Sequence, residues 1–275
     1  MEIADADPAL LSCHILAIPY PGRGHINPLM NLCKLIAATS TPNHLLQISF
    51  IPKPDNIQFR TIPNVIPSEK DRSKDFLGFV KAVFTKMEAL VDSIFEGLPK
   101  PNVILADSFL PWAVSIGERR NIPVASFWTM SVTTFSIFYH HQLLLANGHF
   151  EANFTEQGEE VVNYIPGIKP ICVKDFPSSF HRKREMLPFL VEYVSQMVSK
   201  AQYALFTTIE ALESQVIEVL KAESPVPILT VGLTIPYLDT KFKSNQLSRH
   251  GLMINLRTLF YTYPKEVSCQ YQKNS

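Results

Sequence analysis

The sequence predicts an α/β fold in which helices cover both faces of a doubly wound parallel sheet. Short runs of apolar, strand-forming residues alternate with longer segments whose apolar residues recur at helical spacing. Neighbouring parallel strands need a crossover connection, and continuous apolar strands need cover on both faces. No internal repeat or low-complexity tract interrupts the alternation. The pattern is therefore typical of a doubly wound α/β domain.

The first predicted strand is the apolar segment CHILAI, residues 13–18. A turn rich in proline and glycine follows it. Asn27 can cap a helix, and Pro28 suits the first helical position because that position needs no N–H partner. We therefore expect the first helix at 28–38.

The next two predicted elements are the strand LLQISFI, residues 45–51, and a long amphipathic helix at 75–98. The helix is predicted from a single apolar stripe with helical periodicity. That stripe consists of Phe76, Phe79, Val80, Val83, Phe84, Met87, Leu90, Val91 and Ile94.

The middle of the chain repeats the strand and helix order. VILA at 103–106 and IPVASF at 122–127 predict two further strands, Pro111 opens a short helix between them, and a helical pattern covers 131–146. Residues 150–187 are richer in proline, glycine and charge, so this segment is expected to be irregular. The closing elements are predicted as a helix at 188–201, a strand at 203–207 and a helix at 209–222.

Composition limits the possible functions. The 275 residues are 46% hydrophobic, which is enough for a substantial core. Lysine plus arginine and aspartate plus glutamate number 25 each, so no basic field favours binding to nucleic acid. The four cysteines show neither zinc-site nor disulfide spacing and are interpreted as reduced, mostly buried thiols: Cys13, Cys33, Cys172 and Cys269.

The sequence contains no recognisable export signal or membrane span. The acidic start MEIADADPALLSC lacks the basic region of a secretory signal, so we expect a cytoplasmic protein. Residues 127–146 carry no Asp, Glu, Lys or Arg, but they include Thr, Ser, Gln and two His, which favours a buried strand and helix over a transmembrane segment.

Two polar residues follow predicted strands. His25 comes after the first strand, and Asp107 comes directly after VILA. Ligands of open α/β sheets bind at the carboxyl ends of strands, so neighbouring strands would bring the two side chains into one cleft. A carboxylate that holds one imidazole nitrogen leaves the other to accept a proton. The alternatives are a packing role for His25 and a turn or cap role for Asp107.

Other binding motifs are incomplete. GRGHIN has Asn27 where a dinucleotide-binding motif needs its third glycine, and no P-loop lysine follows. His140 and His141 are adjacent in a predicted helix and would face different directions, so we predict no metal site.

Four long segments stand out in the sequence: PYPGRGHINPLMNLCKL, LPKPNVILADSFLPWAVSIGERRNIPVASFWTMSVTT, YIPGIKPICVKDFPS and FTTIEALESQVIEVLKA. In this order they resemble the N-terminal half of plant UDP-dependent glycosyltransferases that act on small lipophilic molecules. Within that family the GRGHINP turn is similar to one subgroup. The resemblance covers roughly residues 12–237.

The resemblance implies a GT-B enzyme, in which an N-terminal Rossmann-like domain binds the acceptor and a C-terminal domain binds the UDP-sugar. His25 matches the general base of the family, and Asp107 matches the carboxylate that orients it. Thr129 matches a position near the transferred sugar. UDP-sugar is then a co-substrate, no other cofactor is expected, and the partner molecule is a small lipophilic hydroxylated acceptor.

Further site residues are candidates on weaker grounds. Gly22 and Gly24 permit a tight turn and keep side chains out of the cleft, although such glycines also serve packing alone. Acceptor contacts are predicted from apolar residues near the cleft, each of which has a core role as its alternative: Phe127, Trp128, Phe135 and Phe138.

The sequence also departs from the family. We predict a flexible N-terminus at 1–11, an acceptor-binding domain at 12–237 and a divergent, poorly ordered tail at 238–275. Family members are roughly twice as long, and the Trp- and His-rich donor motif is absent from this sequence. The loop after residues 45–51 is also shorter than usual, which leaves acceptor choice open. Two hypotheses follow: the acceptor-binding half of a glycosyltransferase, or an inactive fragment that serves as a ligand-binding or interaction module.

Overall fold

The computed structural model describes residues 14–39, 57–62, 74–182 and 187–234. Its strands are β1 Ile15–Ile18, β2 Val103–Asp107, β3 Val124–Trp128, β4 Val161–Val162, β5 Ile171–Cys172, β6 Tyr203–Phe206 and β7 Ile228–Thr230. Its helices are α1 Arg23–Thr39, α2 Phe76–Ile94, α3 Trp112–Arg120, α4 Val132–Tyr139, α5 His141–Ala146, α6 Phe154–Gln157, α7 Ser178–Arg182, α8 Leu187–Lys200 and α9 Glu210–Glu223. The predicted strand at 45–51 and the predicted termini at 1–11 and 238–275 lie outside the described residues.

The main sheet has the strand order β1-β2-β3-β6-β7, and all of its pairings are parallel. Ile18 pairs with Ala106 and Asp107 pairs with Phe127, so the ends of β1, β2 and β3 lie side by side. The predicted parallel α/β sheet is confirmed. A separate antiparallel pair, β4 with β5, lies in the segment predicted to be irregular.

Side chains alternate between the two faces of the sheet. On one face, Leu105 and Phe127 pack against Leu29 and Leu32 of α1. On the other face, alternate strand residues pack against α2 and α3, and further along the sheet against α4, α8 and α9. Helices therefore cover both faces, as the apolar strands require.

Helix α1 begins at Arg23, five residues before the predicted start, and Pro28 lies inside it. The N–H groups of His25 and Ile26 donate to the carbonyl of Gly22, at 2.9 and 2.8 Å, so the chain is already helical before Asn27. Pro28 lacks the N–H that would reach the carbonyl of Gly24, which lies in the exposed first turn. The prediction of a cap at Asn27 was therefore wrong.

Two other boundaries differ from the prediction. The helix expected at 131–146 is divided at His140, whose Nδ1 atom lies 2.8 Å from the carbonyl oxygen of Ser136. The short strand β7 was not predicted. Among the described helices, none combines the length and apolar character that a membrane crossing requires.

Candidate active site

His25 is the third residue of α1, which begins after the short turn that follows β1. Its side chain is 22% exposed. Two aromatic rings flank the imidazole: the Tyr20 centroid lies 5.0 Å away, and Phe109 makes an edge contact at 5.2 Å. The imidazole is therefore held between apolar rings while part of it stays accessible.

Asp107 ends β2 and is fully buried. Its Oδ2 atom lies 2.8 Å from Nδ1 of His25, and its Oδ1 atom accepts a hydrogen bond from the backbone N–H of Phe109 at 2.9 Å. A buried carboxylate needs such partners to offset its lost hydration. An ionised carboxylate only accepts hydrogen bonds, so Nδ1 of His25 carries the proton and Nε2 has a free lone pair when the ring is neutral.

Thr129 completes this group of polar side chains. It lies in the loop between β3 and α4, and its Oγ1 atom is 3.3 Å from Nδ1 of His25. The structure thus brings together His25, Asp107 and Thr129 from the ends of three adjacent parallel strands. The predicted proximity of His25 and Asp107 is present, because β1 and β2 are neighbours in the sheet.

The aromatic residues predicted to contact an acceptor lie in the core instead of along an open cleft. Phe127 is 0% exposed and packs beneath α1. Trp128 is 1% exposed, points to the opposite face and stacks on Phe109 at 5.4 Å. Phe135 and Phe138 are also buried among the α4 and α8 residues. Strand alternation separates Phe127 from Trp128, and the helices then cover both side chains.

The backbone conformation at positions 22 and 24 does not itself require glycine. Neither Gly22 nor Gly24 is among the described glycines with positive φ, which are Gly148, Gly167 and Gly232. A Cβ atom on Gly24 would meet open space, whereas one on Gly22 would lie 3.6 Å from Cδ2 of His25. The role predicted for Gly24, keeping side chains out of the cleft, stays a prediction.

Sequence reasoning missed two aromatic neighbours of His25. Tyr20 lies in the turn after β1, and Phe109 lies two residues beyond Asp107. Tyr20 lies near His25 in the sequence, and Phe109 lies near Asp107. An aromatic residue in the same turn as a predicted polar site residue was therefore the signal that could have identified both neighbours. A third missed residue, Glu213, bonds to the start of α4 and could not be placed from sequence spacing.

Cys33 lies on α1 and packs toward the sheet. Burial raises the pKa of its thiol to about 11, because a thiolate there would lose its hydration. Such a thiol is a poor nucleophile near neutral pH. Across the described ranges, no group of three or more His, Cys, Asp and Glu side chains is placed to hold a metal ion.

The fold and this group of residues define a class of protein: a Rossmann-like α/β domain with a histidine and a buried carboxylate at the carboxyl edge of its sheet. No protein-family model matches the chain. UDP-glycosyltransferase 87A2 of Arabidopsis thaliana is 41% identical to it over an alignment of 246 residues, and the match covers 84% of this chain and 53% of that protein.

Solved structures show the same fold. Medicago truncatula UGT71G1, complexed with UDP-glucose, aligns with a TM-score of 0.65 and 20% identity over 88% of this chain and 56% of that one. Phytolacca americana UGT2, complexed with UDP-2fluoro-glucose and pterostilbene, aligns with a TM-score of 0.62 and 18% identity over 83% of this chain and 55% of that one.

The chain is therefore a homologue of the plant UDP-glycosyltransferases, and the resemblance predicted from its motifs is confirmed. It spans about half the length of the curated relatives it matches.

Proposed function

We propose that this chain is the acceptor-binding half of a UDP-glycosyltransferase, in which His25 is the general base and Asp107 orients it. The observation that carries the proposal is the 2.8 Å contact between Nδ1 of His25 and the buried carboxylate of Asp107. This contact fixes the ring and directs the proton-accepting nitrogen away from Asp107. An oriented imidazole is a suitable base for a hydroxyl group near neutral pH.

In the proposed reaction, Nε2 of His25 takes the proton of an acceptor hydroxyl as the acceptor oxygen attacks the anomeric carbon of a UDP-sugar. The new carbon–oxygen bond forms as the bond to UDP breaks, and UDP leaves with the electron pair. Attack from the face opposite UDP inverts the anomeric configuration. Asp107 stabilises the imidazolium that forms, and general-base assistance of this kind contributes about 10² to 10⁴ in rate.

The acceptor class follows from the surroundings of the base. Tyr20 and Phe109 flank the His25 ring, so a hydroxyl that reaches Nε2 would be carried by a molecule with an apolar body. A small lipophilic hydroxylated acceptor fits this environment. UDP-glucose, present in the UGT71G1 structure, is the first sugar donor to test.

A second candidate function is acceptor binding without sugar transfer. The observation behind it is that His25, Asp107 and the flanking Tyr20 and Phe109 rings all lie within this chain, so an acceptor could bind there whether or not sugar is transferred. Positioning two reactants supplies as much as about 7–11 kcal/mol of barrier reduction. We expect no appreciable transfer by this chain alone if the groups that position the UDP-sugar are absent from it.

The experiment is to incubate the purified chain with UDP-glucose and a panel of flavonoids and terpene alcohols, measuring glucoside formation and acceptor binding in parallel. Glucoside formation that His25→Ala abolishes and His141→Gln preserves would support the base and overturn the binding-only function. Binding of an acceptor without turnover would support the second function. If the panel is neither bound nor glucosylated, both functions are contradicted for this acceptor class.

A further inference from the structure

We propose that Glu213 is a positioning residue that holds the loop 129–131 and thereby fixes Thr129 against His25. The inference deepens the proposed function, on which its relevance to sugar transfer rests. Glu213 lies on α9 and touches neither His25 nor Asp107 among its hydrogen-bond partners. It acts through the loop between β3 and α4.

The first end of this loop is held by Thr207. The carbonyl oxygen of Trp128, the last residue of β3, accepts a hydrogen bond from the backbone N–H of Thr207 at 3.2 Å and from its hydroxyl at 3.3 Å. Thr207 directly follows β6, the next strand in the sheet. The chain therefore enters the loop from a fixed position.

The second end of the loop is held by Glu213. Its Oε1 atom accepts hydrogen bonds from the backbone N–H of Thr133 at 2.8 Å and from the Thr133 hydroxyl at 2.7 Å. Its Oε2 atom accepts from the backbone N–H of Val132 at 3.1 Å and from the hydroxyl of Thr208. One carboxylate thus joins the start of α4 to the loop that follows β6.

These bonds complete the N-terminus of α4. The first four N–H groups of a helix have no partner within the helix. Glu213 accepts from two of them, Val132 and Thr133, and the hydroxyl of Ser131 accepts from a third, Thr134. Phe135 then makes the first regular helical bond, to the carbonyl of Ser131. Without Glu213, the N–H groups of Val132 and Thr133 would lose their partners, and the start of α4 would be free to shift.

The backbone and charge of Glu213 are consistent with this role. Its dihedral angles, φ −129° and ψ 24°, depart from the helical values and kink α9 at this residue. Burial raises the pKa of its carboxyl group, but hydrogen bonds from Thr208, Thr133 and the backbone of Val132 outweigh burial and lower the pKa overall. Glu213 is therefore ionised near neutral pH and can accept all four hydrogen bonds.

Only residues 129–131 lie between Trp128, which Thr207 holds, and Val132, which Glu213 holds. Thr129 is the first of them, and its hydroxyl lies 3.3 Å from Nδ1 of His25. A loop this short cannot absorb a shift at one end without moving its remaining residues. The position of Thr129 relative to His25 consequently depends on Glu213.

The test uses the whole chain, labelled with ¹⁵N-histidine, and follows the imidazole signals of His25 by NMR. His25→Gln assigns these signals by their loss. The variants are Glu213→Gln, Glu213→Ala, Thr129→Val and the double variant Glu213→Gln with Thr129→Val. Glu210→Gln is the matched control. This substitution removes the same charge from α9, but Glu210 pairs with Lys221 on the surface and lies outside the contacts to the loop 129–131. Thermal unfolding is measured for every variant.

We expect Glu213→Gln to shift the His25 signals in the same direction as Thr129→Val, and the double variant to shift them no further than Thr129→Val alone. Glu210→Gln should leave them unchanged. A Glu213→Gln protein that unfolds at a lower temperature but keeps its wild-type His25 signals would overturn the proposal, as would additive shifts in the double variant. If the Glu213→Ala protein does not fold, the His25 signals of the Glu213→Gln protein test the proposal on their own. The readout needs no acceptor or UDP-sugar, so it separates a failure of this inference from a failure of the proposed function.

Discussion

His25 and Asp107 are 82 positions apart in the sequence, yet Nδ1 of the imidazole lies 2.8 Å from Oδ2 of the carboxylate. The parallel pairing of β1 with β2 brings the ends of the two strands to one edge of the sheet. The second carboxylate oxygen accepts the N–H of Phe109, so both oxygens of the buried group have partners. This arrangement determines which nitrogen of His25 carries the proton.

The first prediction concerns Asp107→Asn. The amide oxygen of the asparagine is expected to keep the N–H of Phe109, which leaves the NH₂ group facing Nδ1 of His25. Nδ1 must then accept a hydrogen bond, so the neutral ring should change to the tautomer protonated at Nε2. The ¹⁵N chemical shifts of the His25 ring measure the change, and Asp175→Asn, on an exposed residue far along the chain, is the control. An unchanged tautomer would show that Asp107 does not set the proton position.

The second prediction concerns the packing beneath the site. Leu32 of α1 is 0% exposed and packs against the sheet face that also carries Phe127. Leu32→Ala should reduce the free energy of unfolding by about 2–5 kcal/mol, because a cavity remains between helix and sheet. The matched control is Leu212→Ala, since Leu212 is 78% exposed and a surface substitution should change stability by less than about 0.5 kcal/mol. Urea denaturation measures both, and equal losses would contradict the packing described.

The third prediction concerns how the stabilising effect of Glu213 changes at acidic pH. The pKa of Glu213 is lowered in the folded chain from its ordinary value of 4.5, so its ionised form stabilises the fold. This contribution is fully present above the unfolded-state pKa and is lost as the pH falls through the folded-state pKa. The stability difference between wild type and Glu213→Gln should therefore be constant near neutral pH and shrink as the pH drops below about 4.5.

Urea denaturation at a series of pH values measures this difference. Glu210→Gln provides the comparison, because Glu210 is exposed and bonds only to Lys221 among the hydrogen-bond partners described for it. A difference that grows on acidification would show that the fold favours protonated Glu213 instead.

The sequence alone predicts those strands and helices that a local pattern of residues determines. β2, β3 and β6 are short apolar segments bounded by polar or turn residues; His25 comes after β1, and Asp107 ends β2. Adjacent parallel strands then bring the two side chains together, which needs only the sheet topology.

Helix α1 begins before Pro28 because Gly22 accepts the N–H groups of His25 and Ile26, a local contact that the position of the proline does not predict. Other features depend on contacts between distant parts of the chain. Glu213 reaches the start of α4 across 80 positions, and no periodicity predicts that bond. The burial of Phe127 and Trp128 likewise follows from helices packed on opposite faces of the sheet.

The central claim, that His25 is the base for sugar transfer, is tested most directly in a chimaera. It joins residues 1–234 of this chain to the part of UDP-glycosyltransferase 87A2 that lies outside the match, and initial rates are measured with UDP-glucose and a bound acceptor. We predict that His25→Ala lowers kcat by about 10² to 10⁴ while the acceptor Kd stays unchanged, and that His141→Gln affects neither. Wild-type kcat in the His25→Ala chimaera would contradict the account.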